Sequence, residues 1–239
     1  FVITGIVALA AALLNNVTAG IGNLVAEGNQ KRIKSVFWEL TSLRVWMASV
    51  FCFGMYRLAH SFITLWVGEG YVLEQSAFVA LIAYTFILLT RTNDAFLSAY
   101  GLYQDIWAPV AEAVLNVGCS ALLGYFFGLS GIVSGIVVSL VAIVCIWKPY
   151  FLYTKGFKEK INEYVMNQLK YALLIILSFI FSTFILDSLS LSATTFYVWI
   201  QAAIIVVATY AAISLLLFVL TDNGSRCFLR RVYAIVIQK

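Results

Sequence analysis

Arg57 stands near the middle of the apolar stretch 45–67, and the only histidine, His60, follows one turn later on the same helical face. An arginine cannot shed its proton, so at membrane depth it snorkels outward or requires a carboxylate on another helix, a water-filled cavity or an anionic ligand. His60 offers either a proton-coupling group or a hydrogen-bonded side chain near one membrane face. Arg91 and Asp94 are three residues apart and can pair within one helix, as a structural pair or a gate. Glu112 and Asn116 are four apart and face the same way, while Asn15 and Asn16, with Thr18, place amides in the first apolar run. Arg57, His60, Asn15, Asn16, Glu112 and Asn116 are thus candidates for lining a polar cavity shared by several helices, which suits transport better than an inert anchor.

The chemistry that is missing narrows the choice. No GxxxxGK[ST] phosphate loop, HExxH pair, paired-Asp metal site or Ser/His/Asp set occurs, and there is no selectivity-filter or voltage-sensor sequence. Cys52, Cys119, Cys145 and Cys227 are far apart and fit neither a metal site nor a disulfide framework, so they read as packing residues. No catalytic residue, metal or cofactor is expected, and the reading is a transporter or non-catalytic membrane subunit rather than an enzyme.

Helices in a bilayer must position these groups. Of the 239 residues 63% are hydrophobic and 11% charged, against about 45–50% and about 25% in soluble domains. So few charged side chains cannot cover a water-soluble globule, and the chain must be solvated mainly by lipid. A window of about 20 apolar residues predicts spans at 1–26, 45–67, 76–97, 107–127, 131–151, 169–186 and 196–220. Backbone amides in hydrocarbon must be satisfied internally, and no barrel-type alternation occurs, so these are helices.

If the spans alternate, 14 of the 15 basic residues fall on one side and Arg57 alone remains in the membrane. Lys31, Arg32, Lys34 and Arg44, then Arg91, then Lys148 to Lys170, then the tail from Arg226 carry them. The basic side is expected to be cytoplasmic, with the C-terminus inside. The net charge of +4 then needs no nucleic-acid partner. Phe1 opens directly on an apolar run without a basic leader, which reads as the C-terminal piece of a longer chain.

Two connections are amphipathic. Ile33, Val36, Phe37, Leu40 and Leu43 recur at helical spacing among charges, as do Phe157, Ile161, Tyr164 and Val165; each is expected either in the headgroup plane or as an extension of the next span. Trp66 and Trp147 stand at interfacial positions. Gly131, Gly135 and Ser139 form a small-residue stripe for close helix approach, and the link 128–130 makes the fourth and fifth spans an antiparallel hairpin.

An ordered series of landmarks carries a family resemblance over residues 14–157. AGIGNLVA (19–26), the basic connection, FITLWVG (62–68), GLYQD (101–105) leading to Pro109 and Glu112, GLSGI (128–132), and KPY (148–150) through Gly156 and Phe157 resemble the polysaccharide-transport branch of the multidrug/oligosaccharidyl-lipid/polysaccharide exporter superfamily. The resemblance implies an all-α integral membrane protein with two lobes around a central cavity, similar in plan to the multidrug and toxin extrusion exporters. In that plan residues 1–157 supply five spans of the C-terminal lobe. Residues 158–239 supply two additional helices and a basic cytoplasmic tail. It further implies a flippase that moves undecaprenyl-diphosphate-linked oligosaccharide across the bacterial inner membrane for O-antigen, capsule or exopolysaccharide synthesis. The implied partners are that lipid-linked oligosaccharide, bilayer lipids, an N-terminal lobe of the same protein, and polysaccharide polymerase and glycosyltransferases. Arg57 and His60 depart from the family pattern, in which apolar residues or an Asn-Pro pair are common there. A cation-coupled drug exporter of the multidrug and toxin extrusion type, or an integral-membrane glycosyl- or acyltransferase, remain the alternatives.

Overall fold

The computed structural model describes Gly5, Ala8, residues 19–189 and residues 195–237, and every regular element among them is helical. Five helical stretches are long and apolar enough to cross a bilayer, namely Gln30–Trp66, Gln75–Ala99, Trp107–Phe157, Asn162–Ser188 and Phe196–Thr221. The all-α architecture follows from the composition as expected. Most of the expected first span, with Asn15 and Asn16, lies outside the described residues; its end is helix α1, Ala19–Ala26.

Helix α2, Gln30–Trp66, is a single unit of 37 residues. Asn29 caps it by accepting the Arg32 N–H at 3.2 Å. The basic amphipathic stretch expected at 31–44 is therefore the first part of the span itself, not a separate helix in the headgroup plane. No glycine or proline interrupts the sequence before Gly54, so helical hydrogen bonding runs through. Its apolar face is consumed by packing: Ile33 and Phe37 are fully buried, Phe37 edge-on to Phe96 and Phe157 at centroid distances of 5.1 and 5.3 Å. The second amphipathic stretch is used in the same way. Phe157 and Tyr164 join that cluster, and α7, Asn162–Ser188, begins well before the expected span start.

The expected third span is broken in two. Helix α3, Gln75–Leu89, stops at Thr90, whose hydroxyl bonds back to the Phe86 carbonyl at 2.9 Å, and Arg91 leaves the helical region at φ −71°, ψ 52°. A short α4, Thr92–Ala99, follows. Polar side chains that compete for the backbone end the helix where the hydropathy also falls. Tyr100 closes α4 onto the start of α2 by donating to Gln30 Oε1 at 3.2 Å. Burial pushes its phenol upward and the bond to Gln30 pulls it back, so it stays a neutral donor.

Helix α5, Trp107–Leu140, reverses at Gly128, where φ is 58° and ψ −136°, a conformation open chiefly to glycine. The expected hairpin is present, and the small-residue stripe faces its own partner arm. A Cβ on Gly131 would fall 2.0 Å from the Leu123 carbonyl oxygen, and one on Gly135 would fall 2.4 Å from the Ser120 nitrogen. The second arm continues through a π-helical stretch at Val141–Trp147, the α turn α6 at Lys148–Phe151, and a second π-helical stretch at Leu152–Phe157. The wide turns flank Pro149, whose ring and missing N–H are incompatible with uninterrupted α-helical bonding.

Helices α7 and α8, Phe196–Thr221, pack on each other and on α2. The basic tail is not an extended segment: Asn223–Ile237 forms helix α9, which lies against α2 and α8. Asp222 caps it through Ser225 N at 2.9 Å, and Arg231 reaches the buried Glu39 at 3.1 Å.

Candidate functional site

The helices leave a crevice between two groups. On one side stand α3 and the second arm of α5, on the other α7, and α2 forms the floor. Two adjoining cavities of about 570 and 450 Å³ share Val45, Phe86, Ile87, Gln168 and Ala172 and together make up the crevice. Its larger part is walled by apolar side chains such as Ile82, Ile175 and Phe179. The smaller part is lined by Thr41, Thr90, Thr92, Asn93, Tyr164 and Gln168 among apolar side chains such as Val144 and Leu169. The break between α3 and α4 supplies Thr90, Thr92 and Asn93, while Thr41 comes from α2 and Tyr164 and Gln168 from α7. Asn93 donates to the Tyr164 hydroxyl at 3.2 Å. Asn93 Oδ1 and Thr92 Oγ1 are buried without a hydrogen-bond partner among the described residues. A buried unsatisfied group costs about 1–3 kcal/mol, so the break between α3 and α4 is held at some cost in stability.

Close to these polar side chains lies a charge network. Arg91 reaches Glu112 at 3.1 Å and Asp94 at 3.8 Å, and Lys148 reaches Asp94 at 2.8 Å. Arg44 on α2 lies within electrostatic reach of Asp94. The Arg91–Asp94 contact expected from sequence therefore exists, but Arg91 stands before α4 rather than within it, and the shorter contacts of both residues are to other segments. Three cations against two carboxylates leave a surplus positive charge beside the crevice. Glu112→Gln is expected to destabilise the protein by about 2 kcal/mol, below the range for fully buried pairs because these side chains are partly exposed. Thermal unfolding in detergent measures it, and exchanging the charges by Arg91→Glu with Glu112→Arg should restore most of the loss.

Arg57 and His60 lie together elsewhere, in a cavity of about 260 Å³ that they share with Tyr56 and Gln75. Arg57 donates to Asp187 at 2.7 Å, at the end of α7, which is the interhelical carboxylate among the alternatives open from sequence. Tyr56 lines this cavity and the apolar part of the crevice. Asn116 is in neither place. It accepts the Ser120 hydroxyl at 3.2 Å inside the α5 hairpin, where Ser120 also donates to the Ile132 carbonyl at 3.0 Å.

The six cavity candidates thus divide: Arg57 with His60, Glu112 in the charge network, Asn116 in the hairpin, and Asn15 and Asn16 outside the described residues. Lys148 and Tyr164 were expected as a basic-side residue and part of an amphipathic face, and neither they nor Asn93 and Gln168 were expected at a site. The polar run from Thr90 to Asp94 was the available signal for Asn93, since such a cluster inside an apolar span breaks the helix. Of the cysteines, Cys52 is buried as expected of a packing residue, whereas Cys145 and Cys227 are exposed and Cys145 lines the crevice. No cluster of three or more metal-ligating side chains occurs among the described residues. Comparison with known protein families, curated proteins and solved structures returns no match.

Proposed function

We propose that this chain is the C-terminal part of a flippase for lipid-linked oligosaccharide, acting in the bacterial inner membrane with its basic end cytoplasmic. The observation that carries the reading is the crevice, apolar over most of its lining, with the polar side chains of its smaller part close to the surplus positive charge. An amphiphile with a long hydrocarbon tail and an anionic, hydroxyl-rich head has the same polarity gradient. The tail can lie along Ile82, Ile175 and Phe179 without leaving an apolar environment. The head finds Thr92, Asn93 and Tyr164 as hydrogen-bonding partners, with Arg44, Arg91 and Lys148 supplying the field for a diphosphate. The ordered landmarks of the polysaccharide-transport family support the same cargo. On this reading an N-terminal lobe completes the cavity, and alternating access moves one lobe against the other. The polymerase and glycosyltransferases of the pathway would be its neighbours.

The test is export of surface glycan in cells that depend on this protein. Ala172 is exposed and lines both parts of the crevice, so Ala172→Trp fills the crevice without disturbing a packed core. Export should fall at least tenfold while the protein accumulates normally; unchanged export would remove the crevice as the cargo path. Arg57→Ala in the same assay should lower export through the outer cavity, and normal export would remove Arg57 from the path.

A further inference from the structure

We propose that the basic end of the bundle is a binding surface for anionic phospholipid headgroups, centred on the turn that joins the second arm of α5 to α7. The inference is independent of the cargo reading and needs only that the protein is membrane-embedded. At this end six of the described carboxylates are already committed. Glu27 holds Arg32, Glu159 and Glu163 hold Lys34, Asp94 holds Lys148, Asp222 holds Lys170, and Glu39 holds Arg231. Lys31, Lys155, Lys158, Lys160 and Arg230 are exposed and have no carboxylate partner among the described residues. The protein therefore leaves this charge to be countered from outside.

The surface is also ordered. Lys34 Nζ lies 2.6 Å from Glu159 and 2.7 Å from Glu163, which clamps the turn to α2. Glu159 N–H donates to the Tyr153 carbonyl at 2.9 Å, closing the end of the arm around Lys158, whose φ of 57° and ψ of 41° are left-handed. Lys155, Lys158 and Lys160 project from this fixed turn.

The apolar surface next to it identifies the partner. Exposed Ile146 and Tyr150 precede the turn on the arm, and exposed Val165, Met166 and Leu169 follow it on α7. Within two helical turns the exposed surface changes from apolar to cationic, the polarity order of acyl chain and headgroup in one leaflet. A soluble acidic protein would meet the cations but leave the apolar residues unmatched. Basic residues near an anionic bilayer surface each add roughly fivefold to affinity at physiological ionic strength.

The experiment follows the unfolding temperature of the protein in neutral detergent as phosphatidylglycerol or phosphatidylcholine of the same chain length is titrated. Phosphatidylglycerol should stabilise at lower concentration, and raising salt from roughly 0.05 to 0.5 M should remove most of the difference. Lys155→Gln with Lys160→Gln should weaken the phosphatidylglycerol response by roughly 25-fold. Lys158→Gly separates binding from structure. Glycine suits the left-handed backbone, so unfolding without lipid should be unchanged or higher, while the phosphatidylglycerol response weakens roughly fivefold. Equal stabilisation by the two lipids, or variants that keep the full response, would overturn the proposal. Soluble glycerophosphate reproducing the shift would also overturn it, because the site would then be one for free phosphate.

Discussion

Gly135→Ala is expected to abolish the folded hairpin of α5, although it adds a single methyl group. The Cβ would lie 2.4 Å from the Ser120 nitrogen and 2.5 Å from its Cα. Both are backbone atoms in the middle of a helix, so neither can rotate aside as a side chain could. The arms would have to separate, losing the Ser120-to-Ile132 bond and the interdigitation around Gly124 and Gly131. Ordinary overpacking costs about 1–3 kcal/mol, and here the obstacle is rigid, so a loss of at least about 3 kcal/mol is expected. The measurement is the monodisperse fraction and unfolding temperature after detergent extraction. Gly118→Ala, on the facing arm with nothing within 4 Å of the added carbon, is the control. It should be neutral or stabilising by about 0.4–1 kcal/mol. Equal behaviour of the two variants would mean that the arms do not meet at the glycine stripe.

Asp222→Ala should release α9 from the bundle. The carboxylate of Asp222 is almost wholly buried and does four things at once. It pairs with Lys170, accepts the Tyr171 hydroxyl at 3.4 Å, and accepts Ser225 N and Oγ at 2.9 and 3.3 Å. Alanine leaves the Lys170 ammonium without its partner, a buried phenol without an acceptor and the first turn of α9 without its cap. Removing one member of a buried pair costs about 3–5 kcal/mol; Lys170 is one-third exposed, so about 3 kcal/mol is expected. Asp222→Asn retains an acceptor for the cap and should lose roughly half as much, since a cap is worth about 1 kcal/mol. Limited proteolysis after Arg226, Arg230 and Arg231 reads the release of α9 directly. Unchanged protection in Asp222→Ala would place the attachment of α9 elsewhere, in the Arg231–Glu39 contact or the close approach of Gly224 to the Trp38 carbonyl.

Both predictions concern features with different legibility in the sequence. The glycine stripe and the turn at Gly128 were readable, because four-residue spacing of small residues has one geometric use in lipid. The partner of Asp222 was not, since Lys170 is 52 positions away and no local rule brings them together. Helix α9 did carry a signal, an Asp followed by Ser three residues on at its start, but the run of arginines reads equally well as a solvated tail. For the same reason the amphipathic stretches at 31–44 and 157–165 were ambiguous. Periodicity gives an apolar face but does not say whether lipid or Phe96 and Tyr153 will cover it.

The candidate site divides along the same line. Arg57 and His60 are one turn apart on one helix, so their proximity follows from helical geometry, and Arg91 and Asp94 are close because they are three positions apart in the chain. The crevice, with Asn93 and Tyr164 facing each other across 71 positions, depends on where α7 settles against α2. Sequence by itself determined that the chain is helical and membrane-solvated, and where its charged residues concentrate, because these follow from composition and local period. Tertiary structure alone decided which charges neutralise one another, which are left over, and where the crevice lies, because those depend on contacts between helices that lipid leaves free to pack in more than one way.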